Sequence, residues 1–562
     1  MNRQIYIELM DSVLMAYSEE KIKSYMKEVE VRGLWEHGFP RLTANIGILI
    51  AHGKWTEYKE LFHSMMDLCC LEIPTAHARN GHHVGNDFSV KEIVSCLLEI
   101  EKANVFAKEI TQGWREKLSQ IIPNEVYSDV APIPPVRMGN WAAFAAASEQ
   151  SRIFAGIGNE SAFVENQVKS QLLSFDENGM YRDPKEPILY DLAARLELAM
   201  TLHLGFDGES RDVLVENLMR SADITLEMQS VTGEIPFGGR SNQFLNNEAT
   251  YAALLEFYAG LYKANGDLEK AGKFKSAARL AIEFIIPWLK EDKSSHIKNY
   301  YDRESMYGCE PYAYFDKYMI TIGSCLYCAY ILADDTIEEV DCPAINKNYI
   351  CETSPHFHKV MCKYQDYFIE IETKANEKYD ANGLGRVHRR NVPSTIALSV
   401  PFSEKPSYAI DIENPSDFSI CAGIKTEKGY DYTCDSGTEY KLVEKYVGED
   451  AVKVKFECKT SNALVLYKTF ILSEEGVEMH VEADGEVLIA FPMFLFDGKE
   501  YTQIEVSEDS ACVKYQGYEC VYSTNGVLSD EERIYANRNG HYKAFVTMNK
   551  NHVFLKIKMY NL

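Results

Sequence analysis

The densest run of reactive side chains is GEIPFGGRSNQFLNNEATYAALLEF, residues 233–257. Arg240, Asn242, Gln243, Asn246, Asn247 and Glu248 stand there between a glycine-broken loop and a stretch that is apolar on nearly every side. Gly238 and Gly239 let the backbone turn or approach a ligand closely, and Arg240 brings a planar fork that matches a carboxylate. Asn242 and Gln243 can donate to hydroxyls or to the same carboxylate. Neutralising a carboxylate in this way acidifies the C–H bond beside it, and Tyr190, His82, His83 and His388 are the side chains suited to exchange that proton. Hydrolysis between two carboxyl groups is the other chemistry on offer, from Asp87, Asp183, Asp191, Glu234, Glu248 and Asp316. Each residue also has a plainer use: Asp191 precedes Arg195 by four and suits an intrahelical ion pair, Asn140 suits a helix cap, and His203 reads as a hydrogen-bonded core histidine.

These residues need a scaffold, and the hydrophobic period supplies one. Up to about residue 335 apolar residues recur every three to four positions, giving twelve expected helices at 3–29, 41–52, 56–72, 90–101, 104–120, 139–156, 159–173, 188–204, 208–229, 244–264, 267–290 and 312–333. Links after the even helices are tight (GKWT, EKAN, IGNES, GFDG, ANGD), whereas links before them are mostly long and rich in Gly, Pro, His and aromatics. Tight links make antiparallel hairpins, so the even helices all run one way. Several even helices are apolar all round and the odd ones amphipathic, which places the even set inside an (α/α)6 toroid. The six long loops then gather on one rim, where side chains such as those of 240–248 line a cavity. From about 348 the period becomes two, as in YFIEIETK, AVKVKFECK and HVFLKIKMY, and an antiparallel β-sandwich is expected. The domains are therefore a toroid at 1–340 and a sandwich at 341–562.

The totals narrow the partners. With 84 acidic against 58 basic residues in 562, the formal charge is −26, which disfavours nucleic acid and anionic membrane surfaces. Residues 1–25 lack the order of an export signal and no apolar run is long enough to span a bilayer, so a soluble, cytoplasmic protein is expected. Fourteen scattered cysteines read as reduced core thiols. The Cys351, His356, His358, Cys362 cluster matches no zinc spacing, and neither a metal nor any other cofactor is expected. Self-association is left open.

Aromatics crowd the same loops: Trp35, Trp141, Tyr181, Tyr190, Phe237, Tyr301, Tyr307, Tyr312 and Tyr314. Sugar rings stack on such faces, which points to a carbohydrate ligand. A helical toroid followed by an antiparallel sandwich resembles heparinase II/III-like polysaccharide lyases and related carbohydrate-active enzymes, among them several glycoside hydrolase families. The Asn140-Trp141 pair is similar to the Asn-containing inner-helix motif of these lyases, and YDANGLGRVHRRNVP (379–393) resembles the β-domain segment that reaches over the toroid rim, offering Arg386, His388 and Arg389. The resemblance implies an acidic oligosaccharide as substrate and β-elimination beside a uronate carboxylate, with Asn140, Trp141, Arg240, Asn242, Gln243, Tyr314 and Arg386 binding it. Tyr190, His82, His83, His388, Asp191 and Glu248 are the candidates for the chemistry. An exo-acting glucuronidase of the (α/α)6 type is the alternative, and a non-catalytic sugar-binding protein the third reading.

Overall fold

Six helices that bury residues on nearly every side pack each on the next and the last on the first: Gly38–Ala51, Asn86–Lys102, Trp141–Phe154, Ile188–His203, Asn246–Ala264 and Phe315–Leu332. In this computed structural model, which describes residues 1–75, 85–290 and 294–562, they are the inner wall of an (α/α)6 toroid. The sequence explains the close approach. Ala142, Ala143, Ala145, Ala146 and Ala147 are wholly buried on one helix, so neighbours can press in from both sides. Contacts join like ends of the inner helices: Arg41 donates to Thr321 at 2.7 Å near their starts, and Gln150 donates to the carbonyl of Leu204 at 2.9 Å near their finishes. The inner helices are thus parallel. Outer helices such as Lys59–Glu72, Ser161–Leu172 and Leu268–Ile285 return the chain along the inner ones.

Two expected helices are broken. The first becomes Gln4–Leu14 and Glu19–Arg32, because Ser18 caps the second by accepting the Lys21 amide at 3.2 Å. The ninth becomes Arg211–Arg220 and Ala222–Glu227. His203 is corrected as well. It is the last residue of its helix, where the chain emerges, and it is exposed rather than in the core.

Charges meet inside the ring. Lys91 reaches past the adjacent helix to Glu197, giving Nζ–Oε2 2.6 Å, and Arg41 lies 3.6 Å from Glu92. All four are nearly inaccessible to solvent.

The helical unit comprises Met1–Ala222, Leu245–His296 and Phe315–Glu339; the β unit comprises Asp223–Phe244, Ile297–Tyr314 and Val340–Leu562. Two segments that precede residue 340, 223–244 and 297–314, therefore fold with the strands. The β unit holds an antiparallel meander of β1 (Tyr349–Glu352), β2 (Lys359–Tyr364), β3 (Tyr367–Glu372) and β4 (Gly383–Arg389). Its larger sheet has eleven strands, dominated by β10 (Gly476–Phe496), which pairs antiparallel with β15 (Gly540–Asn561); β14 (Val527–Asn537) pairs with the same strand. Alternation marks its faces: in β8 (Val452–Lys459), Val452, Val454, Phe456 and Cys458 are buried between partly exposed Lys453, Lys455 and Glu457. One core runs from β2 and β3 through β8, β9 (Val465–Ser473), β10 and β15. β3 is buried at every position, so its Glu370 and Glu372 demand partners. All fourteen cysteines are unpaired thiols. Among the described residues no helix is long and apolar enough to cross a membrane, and no group of three metal-ligating side chains converges.

Candidate functional site

In the β unit, β4 places His388 against the segment 230–234. The His388 ring nitrogen Nδ1 is 2.8 Å from the Thr232 hydroxyl and 3.4 Å from Glu234 Oε2. Thr232 gives its proton to Glu234 Oε2 at 2.9 Å, so its oxygen must accept from the imidazole. Nδ1 therefore carries the hydrogen, and the lone pair lies on Nε2. That nitrogen is buried and has no hydrogen-bond partner among the described residues. Lys298 holds the other Glu234 oxygen at 3.2 Å.

Electrostatics keep this arrangement in one protonation state. Burial, the strongest influence, lowers the His388 pKa; Glu234 opposes it, Arg386 and Lys298 add to it, and the result is about 3. Burial alone would raise Glu234, yet Lys298, His388 and Arg386 outweigh it and hold the carboxyl well below its usual range. The pair is thus an ionised carboxylate beside a neutral imidazole.

Arg386 lies two residues earlier on the same strand, and its guanidinium is nearly spent. Nε donates to the Ser399 carbonyl at 2.8 Å, and Nη1 donates to Glu370 at 3.0 Å and to the Ile235 carbonyl. Nη2 is buried with no partner among the described residues. Glu370 also accepts the Phe237 amide at 3.1 Å, so strands β3 and β4 fasten the turn that leads into Arg240. Burial raises the Glu370 pKa, against the pull of Arg386 and Lys359.

The glycine-broken loop is conformationally unusual. Gly238 and Gly239 have φ of 136° and 78°, as expected of glycine, but Ser241 at 56° and Gln243 at 69° are in the left-handed region as well. Such non-glycine positions cost about 1–3 kcal/mol each and persist only where the surroundings enforce them. Here the Ser241 hydroxyl meets that of Tyr312 at 2.9 Å, Asn242 donates to the Pro236 carbonyl at 3.3 Å, and Gln243 donates to Asn242 Oδ1 at 2.7 Å. Arg240 and Tyr314 are half-buried.

The other expected residues belong to the helical unit. Asn140 does not cap the helix it precedes; its amide N–H donates to Asp183 at 2.8 Å, and its buried Nδ2 has no partner among the described residues. Trp141 is 37% exposed and meets Phe88 edge-on at 5.0 Å. Tyr190 is half-buried in the first turn of its helix, as Glu248 is fully buried in the first turn of another. Asp191 forms the intrahelical pair with Arg195, with Nε–Oδ1 2.8 Å, both residues wholly buried; burial raises its pKa against Arg195. His82 and His83 lie outside the described residues.

Sequence reasoning did not single out Thr232, Lys298 or Glu370. Glu234 entered only as a hydrolytic carboxyl, whereas it is bound by a lysine and a hydroxyl. Four of the other five hydrolytic candidates are similarly engaged: Asp183 by the Asn140 backbone amide, Asp191 by Arg195, Asp87 by the Ser128 hydroxyl at 2.8 Å and Asp316 by Lys21; the fifth, Glu248, is wholly buried at the start of its helix.

No protein-family model matches the chain, and no curated protein matches it in sequence. Solved structures match in fold. A mutant of the heparan sulfate lyase HepC from Pedobacter heparinus superposes with a TM-score of 0.50 at 8% identity, covering 94% of this chain and 77% of that one. A glycosyl hydrolase family 88 protein from Bacteroides vulgatus gives a TM-score of 0.39 at 13% identity over 59% of this chain and 99% of its own. A GH127 beta-arabinofuranosidase gives 0.36 at 11% over 98% and 95%. The chain has the helical toroid and antiparallel β-domain fold found in the lyase structure.

Proposed function

We propose that this protein is a carbohydrate-active enzyme that cleaves uronic-acid-containing oligosaccharides by β-elimination. The observation that carries the reading is His388: neutral, fixed in the Nδ1–H form by Thr232 and Glu234, and ending in a bare Nε2 lone pair. A buried nitrogen left without a partner costs about 1–3 kcal/mol, which a ligand hydrogen or a proton removes. In the proposed step Nε2 takes the C5 proton, the C5–H electron pair becomes the C4=C5 double bond, and the C4–O bond breaks. The departing oxygen receives the proton that the imidazolium then gives up. Arg240, held in place by the internal hydrogen bonds of Asn242 and Gln243, would neutralise the uronate carboxylate and so make C5 acidic enough.

The engaged state of Glu234, Asp87, Asp183, Asp191 and Asp316 favours elimination over hydrolysis, which requires a proton-donating carboxylic acid and a second carboxylate across the bond. The test is incubation with heparan sulfate, hyaluronan, polygalacturonate and alginate oligosaccharides. Elimination yields a conjugated C4=C5 enoate that absorbs in the ultraviolet. New reducing ends without that absorbance mean hydrolysis, and neither signal means a binding protein.

A further inference from the structure

Tips of β-hairpins ordinarily face water. The tip that joins β14 to β15, Asn537-Arg538-Asn539-Gly540, does not, for its first three residues are at most 1% exposed. Asn537 shapes the turn by accepting the amides of Asn539 at 2.9 Å and Gly540 at 3.2 Å. No side chain fits at Gly540, where a Cβ would stand 2.1 Å from the Phe496 carbonyl oxygen. Three polar residues and a glycine are thus driven deep into the β unit.

What they reach is the loop 238–243. Arg538 forks onto Glu310, with Nη1–Oε2 2.9 Å and Nη2–Oε1 2.6 Å, donates to the Gly308 carbonyl at 2.7 Å, and lies 4.0 Å over the Tyr408 ring. Glu310 then accepts the Ser241 amide at 2.7 Å. Asn539 donates to Gln243 Oε1 at 3.3 Å and to the Lys298 carbonyl at 2.8 Å, while its oxygen accepts the Ser399 hydroxyl at 2.7 Å. The Lys298 amide in turn donates to the Gln243 carbonyl at 3.0 Å. The two residues restrained, Ser241 and Gln243, are the two non-glycine positions of this loop with left-handed backbone. A charge and an amide buried only to fill space would have no reason to end on those two positions.

We infer that Arg538 and Asn539 are positioning residues: the hairpin tip holds 240–243 in a high-energy conformation that presents Arg240 to a ligand carboxylate. The inference rests on reading that loop as the carboxylate-binding segment. It assigns the far C-terminal hairpin to the site and makes the ligand an anion that the pre-shaped loop binds without paying to order it.

The test uses the full chain with Asn539→Ser, Arg538→Lys and the harsher Arg538→Met, and reads two quantities that need no turnover. One is amide exchange across 237–245; the other is the dissociation constant for D-glucuronate by calorimetry. Asn539→Ser is expected to speed exchange of the Ser241 and Gln243 amides by about tenfold and to weaken glucuronate by a similar factor. Arg538→Lys, which keeps the charge and loses the fork, is expected to fall between wild type and Arg538→Met. In the background of Arg240→Ala, Asn539→Ser should weaken binding no further, because the positioned group is already gone. Unchanged exchange, or a full additional loss in the double variant, overturns the proposal. Wild-type protein that binds no glucuronate overturns the role of the loop and this inference together, whereas glucuronate binding without any ultraviolet-absorbing product overturns only the elimination chemistry.

Discussion

Lys91–Glu197 in the helical ring and Glu234–His388 in the β unit are both buried acid–base pairs, and they are finished differently. Glu197 receives the Lys91 ammonium on both oxygens, and the pair closes on itself. Glu234 receives Lys298 on one oxygen and Thr232 on the other; Thr232 receives the imidazole N–H, and the chain of donors stops at a bare nitrogen. Burying a charge is costly whichever way it is matched. A pair matched on both oxygens needs nothing further, whereas one that ends in a buried, unpartnered nitrogen leaves a polar atom still to be accounted for.

Removing one member from each pair separates the two roles. His388→Ala should cut turnover of a uronate oligosaccharide by about 10²–10⁴-fold, the usual contribution of a positioned base. The protein should stay folded, and retained turnover would remove His388 from the chemistry. Lys91→Met strands Glu197 in the ring and should destabilise the protein by roughly 3–5 kcal/mol, the range for breaking a buried pair. Urea unfolding measures it, and an unchanged midpoint would mean that Glu197 is hydrated or protonated without cost. Arg240→Ala should raise KM for an acidic oligosaccharide by about 10–100-fold with the thermal midpoint unchanged. Equal kinetics would take Arg240 out of the site.

The toroid was legible because a helix surrounded by protein must be apolar on all sides, and that requirement is written along the chain, as in the alanines of 142–147. Where a local competitor acts, as Ser18 does by capping a second helix, periodicity alone runs straight through the break. The loop 238–243 was legible because arginine and amides are concentrated before a buried helix. Its restraints were not. Thr232 and Lys298 are single polar residues 156 and 64 positions from His388 and Glu234 respectively, and nothing local distinguishes them from surface residues. The NRNG tip reads as a solvent turn, since Asn and Gly favour turns wherever the turn sits. Only long-range strand pairing buries it. Lys91 and Glu197 were passed over for a related reason: a charge on an otherwise apolar helix reveals its partner only once the ring is closed.

The smallest effect sharpens the comparison through pH. His388 has its pKa lowered from 6.5 to about 3, with burial the leading cause. As pH falls below 6.5 the unfolded chain takes a proton that the native imidazole refuses. Stability contributed by the neutral ring is therefore complete above 6.5 and is lost progressively toward 3, at roughly 1.4 kcal/mol per pH unit within that window. Glu234 has the same sign but acts later, because its depressed pKa costs stability only below the ordinary value of 4.5. Urea midpoints of wild type should consequently drop between pH 7 and 5.5, by roughly 1 kcal/mol in stability, and His388→Gln should flatten that slope, leaving below 4.5 the part of the loss that Glu234 contributes. Activity should show the complementary behaviour: a base that stays neutral to such low pH produces no acid limb near 6.5, so kcat/KM should hold level through pH 5.5 once the small change in folded fraction is allowed for. A limb at 6.5 would mean that the catalytic imidazole is solvated, and it would transfer the base from His388 to another histidine.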